Sequence, residues 1–315
     1  MLKFAFIFSG EGAVSIVPHT VIKDATTMKQ IQKAGVIGLM FSSLLMPFSA
    51  NVVAGGNKAM AEPIFTRYAR IYKAPTLNFR TEFFKDKPME EVENFDGYSL
   101  SLDFTWPIND RSQVEVLLPF YTNGEADLIP SGRPVDIEGY NGVRDFFSLI
   151  YERRFPWLEG VTGVNVAWLA GLGWSLDPLE VTLGSTLHDR YNHSGYNAQI
   201  GLKFDDDISA GDMTLLGNLR LIMYRDTDDI NLSGGKSNFQ MLSATGAVMF
   251  NQYGRFTPVL EGIFEADFED YTAFSLAPEL IYTLTDSFDV KFAVPFRLTS
   301  DGQKYAADLE LTYRF

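Results

Sequence analysis

YAADLELTYRF, residues 305–315, alternates strictly between apolar and polar side chains over its last eight positions. Successive side chains of a β-strand point to opposite faces, so this segment predicts a strand with one apolar and one charged face. The apolar face would meet the core of a soluble protein or, in a membrane barrel, the lipid. The apolar set is Leu309, Leu311, Tyr313 and Phe315, and the polar set is Asp308, Glu310, Thr312 and Arg314.

The same period of two recurs along most of the chain. YSLSLDFTW, residues 98–106, obeys it throughout, with Leu100 on the apolar face and Asp103 on the polar face. Each such segment has about the length of a tilted strand that crosses a bilayer, and nothing between them has a helical period. The twelve predicted strands are 77–84, 98–106, 114–121, 145–152, 164–174, 196–204, 213–224, 240–250, 256–266, 273–282, 288–297 and 305–315.

The connections between these strands alternate in length. PINDRSQ (107–113), NQYGR (251–255) and TLTDS (283–287) are short turns, whereas 122–142, 175–195 and 225–239 are long, polar and without a regular pattern. Short turns at one end and long loops at the other are typical of outer-membrane barrels. An even strand count then places both termini on the periplasmic side. The acidic run 205–212 lacks the glycine and closing glutamate of an EF-hand and is predicted to be a solvated periplasmic turn.

The charged residues of these strands share one face. Burying so many charges in a dry core would be very unfavourable, and a soluble sandwich, the alternative, would need a matching apolar core along every strand. We therefore predict an all-β protein, a transmembrane antiparallel up-and-down β-barrel of about twelve strands in contact with outer-membrane lipid of a Gram-negative bacterium. The candidate lumen-lining residues are Arg80, Glu82, Asp103, Glu115, Glu152, Lys203, Arg220, Glu261, Glu265, Glu279, Asp289, Lys291, Arg297, Asp308, Glu310 and Arg314.

Residues 28–61 have the layout of a signal peptide. Two lysines precede an apolar run, and Ala59-Met60-Ala61 forms an A-x-A cleavage pattern. Cleavage after Ala54 and an uncleaved transmembrane anchor are the alternatives. With Met28 as the expected initiator, we assign 1–61 to an upstream extension and signal peptide, 62–76 to a periplasmic leader or plug, and 77–315 to the barrel.

Composition excludes several classes of function. The net charge of the 315 residues is −14, without a basic stripe, which argues against nucleic-acid binding. Residues 1–61 carry five basic and two acidic side chains, so their removal changes the net charge to −17. The chain has no cysteine, which excludes disulfides, iron–sulfur clusters and cysteine-based zinc sites. No cofactor is expected.

The sequence gives little support for a catalytic function. The histidines beyond residue 61 are His188 and His193, in one long loop near Ser185 and Ser194. An outer-membrane lipid hydrolase would need a serine and a histidine on neighbouring strand faces. A spacing of five between the histidines is weak for metal binding. We expect no catalytic or metal site, and a lipid hydrolase is the least favoured function.

The lumen charges leave two functions open. A water-filled passage for small solutes, mildly favouring cations, is one; a structural or partner-binding barrel closed by its own salt bridges is the other. Twelve strands lie between the narrow, filled barrels and the wide porins. Residues 62–76 are rich in arginine and lysine, and they either enter the acidic lumen as a plug or form a periplasmic leader.

Two hairpins carry a resemblance to a known family. Residues 98–121 contain a strand, the turn INDR, an alternating strand and a terminal Pro-Phe-Tyr, and 280–296 repeats this pattern with LTDS and VPF. They resemble the repeating hairpin of the "MetA-pathway of phenol degradation" family of outer-membrane transporters. The resemblance implies a porin-like channel for small, aromatic or apolar solutes, with no catalytic residue. Tyr313 and Phe315 resemble the terminal signal that the barrel-assembly machinery recognises.

Overall fold

The chain divides into two units, residues 1–56 and 57–315. In the first, β1 (Phe4–Phe8) pairs antiparallel with β2 (Val14–Pro18). Most of the predicted signal peptide lies outside the described residues, and its cleavage stays a prediction. The computed structural model describes residues 4–8, 14–18, 61–191, 195–208, 212–227, 230, 232 and 236–315.

Within these residues, the second unit is a closed antiparallel barrel of twelve strands, which confirms the predicted fold class. All twelve predicted strands are present, the eleventh of them split in two. The strands of this unit are β3 (Thr76–Lys85), β4 (Val92–Asn109), β5 (Ser112–Leu128), β6 (Arg133–Gly139), β7 (Phe147–Arg154), β8 (Asn165–Trp174), β9 (Leu179–Leu183), β10 (Thr186–Tyr191), β11 (Tyr196–Ile208), β12 (Met213–Arg225), β13 (Phe239–Phe250), β14 (Phe256–Ala266), β15 (Thr272–Thr285), β16 (Phe288–Ala293), β17 (Phe296–Arg297) and β18 (Tyr305–Arg314).

The first and last strands of the barrel close it. β18 pairs with β3 along their whole length, from Tyr305 opposite Lys85 to Arg314 opposite Thr76. At the other joint, the first half of β5 pairs with β7 and its second half with β6. Every barrel strand therefore has two neighbours, so the barrel wall satisfies its main-chain groups internally, as a membrane interior demands.

The turns between β4 and β5, β13 and β14, and β15 and β16 are short, and they lie at one end of the barrel together with Pro75 and Phe315. We call this the short-turn end and the opposite one the long-loop end. The helix α1 (Pro156–Thr162) lies at the short-turn end and was not predicted from the sequence. It begins with a proline, and Gly163, in the left-handed conformation, caps its C-terminus. No helix of the described residues is long and apolar enough to cross a membrane.

The long loops are more ordered than predicted. β4 and β5 continue beyond the barrel, and β6, β9 and β10 extend them into a sheet at the long-loop end. The assignment of 122–142 and 175–195 as irregular loops is therefore wrong. Gly97 and Gly124 face each other where the hairpin leaves the barrel, and a Cβ on either would lie within 2.3 Å of opposing main chain, so the backbones approach closely there.

The outer surface of the barrel is apolar along its strands. Large side chains stand exposed there, while the inward-facing phase of the same strands carries the charges. The exposed set includes Leu149, Leu172, Ile200, Leu202, Phe204, Leu215, Leu219, Leu260, Leu280, Phe292 and Leu309. An apolar outside around a charged inside is the arrangement of a barrel that spans a membrane, and a single chain with an even number of antiparallel strands is typical of the bacterial outer membrane. The protein is an outer-membrane barrel.

Candidate functional site

The sixteen predicted lumen-lining residues stand on the inward phase of the barrel wall. Ten of them are almost completely buried: Asp103, Glu115, Glu152, Lys203, Glu261, Glu279, Asp289, Lys291, Asp308 and Glu310. The other six are partly buried: Arg80, Glu82, Arg220, Glu265, Arg297 and Arg314. Their part in solute passage stays a prediction.

Residues 61–75, here called the lumen segment, cross the inside of the barrel. Its main-chain N–H groups donate to side chains on different parts of the wall. Ile64 donates to Glu279 Oε2 at 3.1 Å, on β15, and Ala69 donates to Asp205 Oδ2 at 2.9 Å, on β11. Further along, Tyr72 N–H donates to the Gln113 side chain on β5. The segment therefore spans the lumen from one wall to another.

Two arginines of the lumen segment pair with acids of the wall. Arg67 Nη2 lies 3.3 Å from both Asp103 Oδ2 and Glu310 Oε2. Arg70 pairs with Asp205 and Asp207 near the short-turn end. Because these acids belong to β4, β18 and β11, the arginines join strands that are not neighbours in the barrel.

The wall also neutralises much of its own charge. Lys203 lies between Glu152 and Glu115, and its Nζ is 3.9 Å from Glu115 Oε2. Lys291 Nζ donates to Glu310 Oε1 at 2.6 Å. The remaining pairs are Arg314 with Asp289, Arg80 with Asp308, Lys87 with Glu82, Arg297 with Asp86, and Arg144 with Glu265. Most buried charges of the wall are thus paired, as a low-dielectric interior requires, whereas Glu261 and Glu279 accept hydrogen bonds from main-chain N–H groups of the lumen segment.

A cavity of about 330 Å³ lies between the lumen segment and the long-loop end. Phe65 of the lumen segment forms part of its lining. The wall contributes both polar and apolar side chains, chiefly Arg80, Glu82, Asn218, Arg220, Ile222, Tyr224, Met241, Ser243, Thr245, Ile263, Glu265, Ala273 and Ser275, and the loops contribute Lys87, Pro88, Val143, Arg144, Asp145 and Tyr271. Its volume is at the lower end of the range of small-molecule pockets.

An apolar cluster packs beside the cavity at the long-loop end. It joins the extended sheet to the loops, through buried side chains such as Phe95, Ile137, Phe146, Leu179 and Ile230. The Phe146 ring meets the Tyr224 ring edge-on at 5.9 Å. We call this cluster the cap.

One ion pair connects the cap to the barrel wall. Arg144 Nη2 donates to Glu265 Oε2 and to Tyr271 Oη, both at 3.2 Å. Burial raises the pKa of the Tyr271 hydroxyl. Burial alone would lower the pKa of Arg144, but the charge of Glu265 together with the contributions of Tyr271 and Tyr224 outweighs it and raises this pKa. Arg144 therefore stays charged and Tyr271 neutral in the physiological range.

The residues considered for catalysis do not come together in the described part of the chain. His188 and Ser185 are exposed at the hairpin of β9 and β10, whereas His193 and Ser194 lie outside the described residues. In the part of the chain that the structure describes, no group of three or more His, Asp or Glu side chains could hold a metal ion.

Sequence reasoning missed several parts of the site. Asp205 was predicted to sit in a solvated turn, but it belongs to β11 and is completely buried against Arg70. The period of two would have found it, because Lys203, Asp205 and Asp207 share the inward phase. Phe65 and Arg144 were missed as cavity-lining residues because no local pattern reports contacts across a lumen.

Comparisons with known proteins give similarities at low sequence identity. The translocator domain of the autotransporter NalP from Neisseria meningitidis has 11% identity and a TM-score of 0.49, covering 90% of this chain and 98% of its own. The COG4313 outer-membrane channel from Pseudomonas putida F1 has 10% identity and a TM-score of 0.48, covering 83% and 100%. The KdgM porin in complex with oligogalacturonate has 10% identity and a TM-score of 0.45, covering 76% and 99%.

Neither family models nor curated proteins add to these similarities. No family model matches the sequence, and no curated protein matches it. The resemblance to the MetA-pathway family therefore stays a prediction, and function must be inferred from the lumen of this chain.

Proposed function

We propose that the protein is an outer-membrane channel for the passive diffusion of small solutes with aromatic or apolar bodies, and that the lumen segment closes it at rest. The observation that supports this most is the cavity inside the barrel, bounded on one side by Phe65 of the lumen segment.

The attachment of the lumen segment suits a movable plug. Its N–H groups at Ile64, Phe65, Ala69 and Tyr72 bond to side chains of the wall, and the ladder of the barrel is complete without it. The segment can therefore leave the lumen without breaking a main-chain hydrogen bond between strands. What it must break are these bonds to wall side chains and the pairs of Arg67 and Arg70, and the separated groups then need water in the opened lumen as their new partner.

The lining of the cavity suits a small amphipathic solute. Ile222, Met241 and Ile263 supply apolar surface, while Ser243 and Ser275 supply hydroxyl groups. Pockets of this mixed kind fix a ligand's orientation by a few polar groups and bind its body through apolar contact. The resemblance of residues 98–121 to the MetA-pathway family supports the same solute class.

An engineered disulfide can test the plug. Thr245 Oγ1 donates to the main-chain oxygen of Phe65 at 3.4 Å, and the chain has no cysteine. In planar bilayers, the double variant Phe65→Cys with Thr245→Cys should conduct less when oxidised than after reduction by dithiothreitol. The single variant Thr245→Cys should not respond to dithiothreitol. Equal conductance of the oxidised and reduced double variant, with the disulfide verified by mass, would overturn the plug.

The paired lumen charges favour a second candidate, a structural or partner-binding barrel that never opens. Lys203 and Lys291 are each held against glutamates in fully buried positions, and such a network could fill a narrow barrel permanently. Removal of residues 62–74 distinguishes the two functions. In planar bilayers, a channel without this segment should conduct continuously, whereas a barrel closed by its wall charges should show no conductance.

A further inference from the structure

Arg220 differs from the other cations around the cavity. Arg80, Lys87 and Arg144 each have an acidic partner, at 2.8, 2.8 and 3.2 Å respectively. Arg220 has no ion pair or side-chain hydrogen bond with any of the described residues. It is partly buried and lines the cavity. An arginine in this position has five N–H donors that a ligand can use.

The neighbours of Arg220 leave space around it. In the sheet register it lies between Gly201 on β11 and Ser243 on β13, both with small side chains. A Cβ at Gly201 would lie 3.2 Å from Arg220 Cγ, so a larger residue there would crowd the arginine. The nearest acid in the same register row is Glu265, which lies opposite Ser243 and is already paired with Arg144. The charge of Arg220 also acts on Glu115, but the two form no ion pair, and Glu115 lies beside Lys203.

Apolar side chains share the cavity with Arg220. Ile222 is the next inward residue of the same strand, Met241 lies opposite Ile222, and Ile263 lies on β14. Phe65 closes the cavity on the side of the lumen segment. The cavity therefore offers Arg220, a cation without an ion pair among the described residues, beside an apolar surface.

We propose that this cavity binds a small organic anion, a carboxylate with an aromatic or apolar body, and that Arg220 is the residue that holds the carboxylate. Guanidinium binds carboxylate through two parallel N–H···O bonds, which are stronger than neutral hydrogen bonds. The chain as a whole is acidic, so it does not attract anions in general. The preference for a carboxylate is confined to Arg220, because the other cations of the cavity lining are neutralised by their acidic partners. The proposal rests on the proposed function, since it names the class of solute that the channel admits.

Ligand-observed NMR titration of the purified full-length barrel in detergent tests this site. Benzoate is the probe, benzyl alcohol offers the same ring without the charge, and acetate offers the charge without the ring. The wild-type protein should bind benzoate more tightly than either control compound. Weaker or equal binding of benzoate would overturn the proposal.

Three variants assign the binding to Arg220. Arg220→Gln should weaken benzoate binding by about tenfold or more, as expected for the loss of a charged hydrogen bond. Arg220→Lys should retain part of the affinity, because the charge remains but the planar fork is lost. Arg255→Gln, at an exposed arginine on a short turn, should have no effect. Unchanged benzoate affinity in a folded Arg220→Gln variant would overturn the assignment.

The anion site and the channel are separate proposals, and the measurements of binding and conductance can contradict either one alone. The barrel without residues 62–74 could fail to conduct while benzoate binding still depends on Arg220. That result would support the anion site and contradict the proposed channel. Conversely, a barrel that conducts but binds no benzoate would support the channel and contradict the proposed anion site.

Discussion

The guanidinium of Arg67 lies 3.3 Å from the carboxylate of Glu310, a residue 243 positions further along the chain. Both side chains are almost completely buried, and the same arginine also reaches Asp103 on another strand. A buried charge that loses its partner is strongly destabilised. This contact therefore links the lumen segment to the wall through two buried charges.

Replacement of Arg67 should loosen the lumen segment. Arg67→Gln leaves Asp103 without its cation, whereas Glu310 keeps Lys291, and breaking such a buried pair costs about 3–5 kcal/mol. We expect more frequent opening in planar bilayers and faster proteolysis within residues 62–74. Arg111→Gln, at an exposed arginine of the β4–β5 turn, is the matched control. Behaviour like that of the control would show that Arg67 does not hold the segment.

A double-mutant cycle separates the pair from its surroundings. Glu310→Gln alone should also loosen the segment, and the combined variant should cost less than the sum of the two. A coupling of about 0.5–3 kcal/mol is expected for residues in one network, measured by denaturant unfolding. Additive effects would mean that the two side chains act separately.

A charge on the lipid face should destabilise the barrel. Leu219 is 43% exposed on the outside of β12, between Leu202 and Ala244 of the adjoining strands. Leu219→Arg should cost about 2–4 kcal/mol near the bilayer midplane. Ser275→Glu places its charge on the cavity face opposite Arg297 and should fold nearly normally. Similar losses for both, measured by unfolding in lipid vesicles, would contradict the assignment of the two faces.

The C-terminal aromatics should govern assembly. The Phe315 ring contacts the rings of Tyr313 and Phe104 at 5.0 and 6.4 Å, and its N–H donates to the Pro75 oxygen. Phe315→Asp should lower the amount of folded, heat-modifiable protein in the outer membrane without preventing export. Phe315→Tyr keeps the ring and should assemble normally. Wild-type levels of the aspartate variant would remove the proposed recognition by the assembly machinery.

The mature protein should begin at Glu62. The pattern Ala59-Met60-Ala61 predicts this cleavage, and intact-mass measurement of protein from the outer membrane would reveal it. An Ala61→Leu variant should be cleaved poorly, because signal peptidase sites require small residues, while Lys58→Gln should be cleaved normally. A mature N-terminus at Gly55 would instead support the second cleavage site.

The strand pattern could be predicted because the period of two is local. The alternation within residues 98–106 is enough to predict their strand, without information from any other part of the chain. Leu100 illustrates the limit: it belongs to the outer phase, yet it is only 2% exposed. A register shift of β5 beside it places an extra residue, Phe120, between its neighbours, and the Phe120 and Phe79 rings lie 6.1 Å apart on that side. No feature of residues 98–106 reports this.

The lumen could be predicted only in part. Periodicity assigned Lys203 and Glu152 to the inside, but it did not show that they would bind each other. The contacts of Arg67 and Arg144 join residues far apart in sequence, and their choice of partner depends on the closed shape of the barrel. The sheet of β6, β9 and β10 was missed because its strands are short and begin inside polar loops.

The pairing of β18 with β3 has a consequence for how the molecule forms. The barrel strand made last during synthesis must find the barrel strand made first, so the barrel has no interior until all of its strands are present. The lumen segment ends where β3 begins, and its partners on β5, β11 and β15 surround it only at that moment. Contacts of such long sequence separation form slowly. The lumen segment can therefore acquire its full set of wall contacts only after β18 has paired with β3, because the lumen is complete only then.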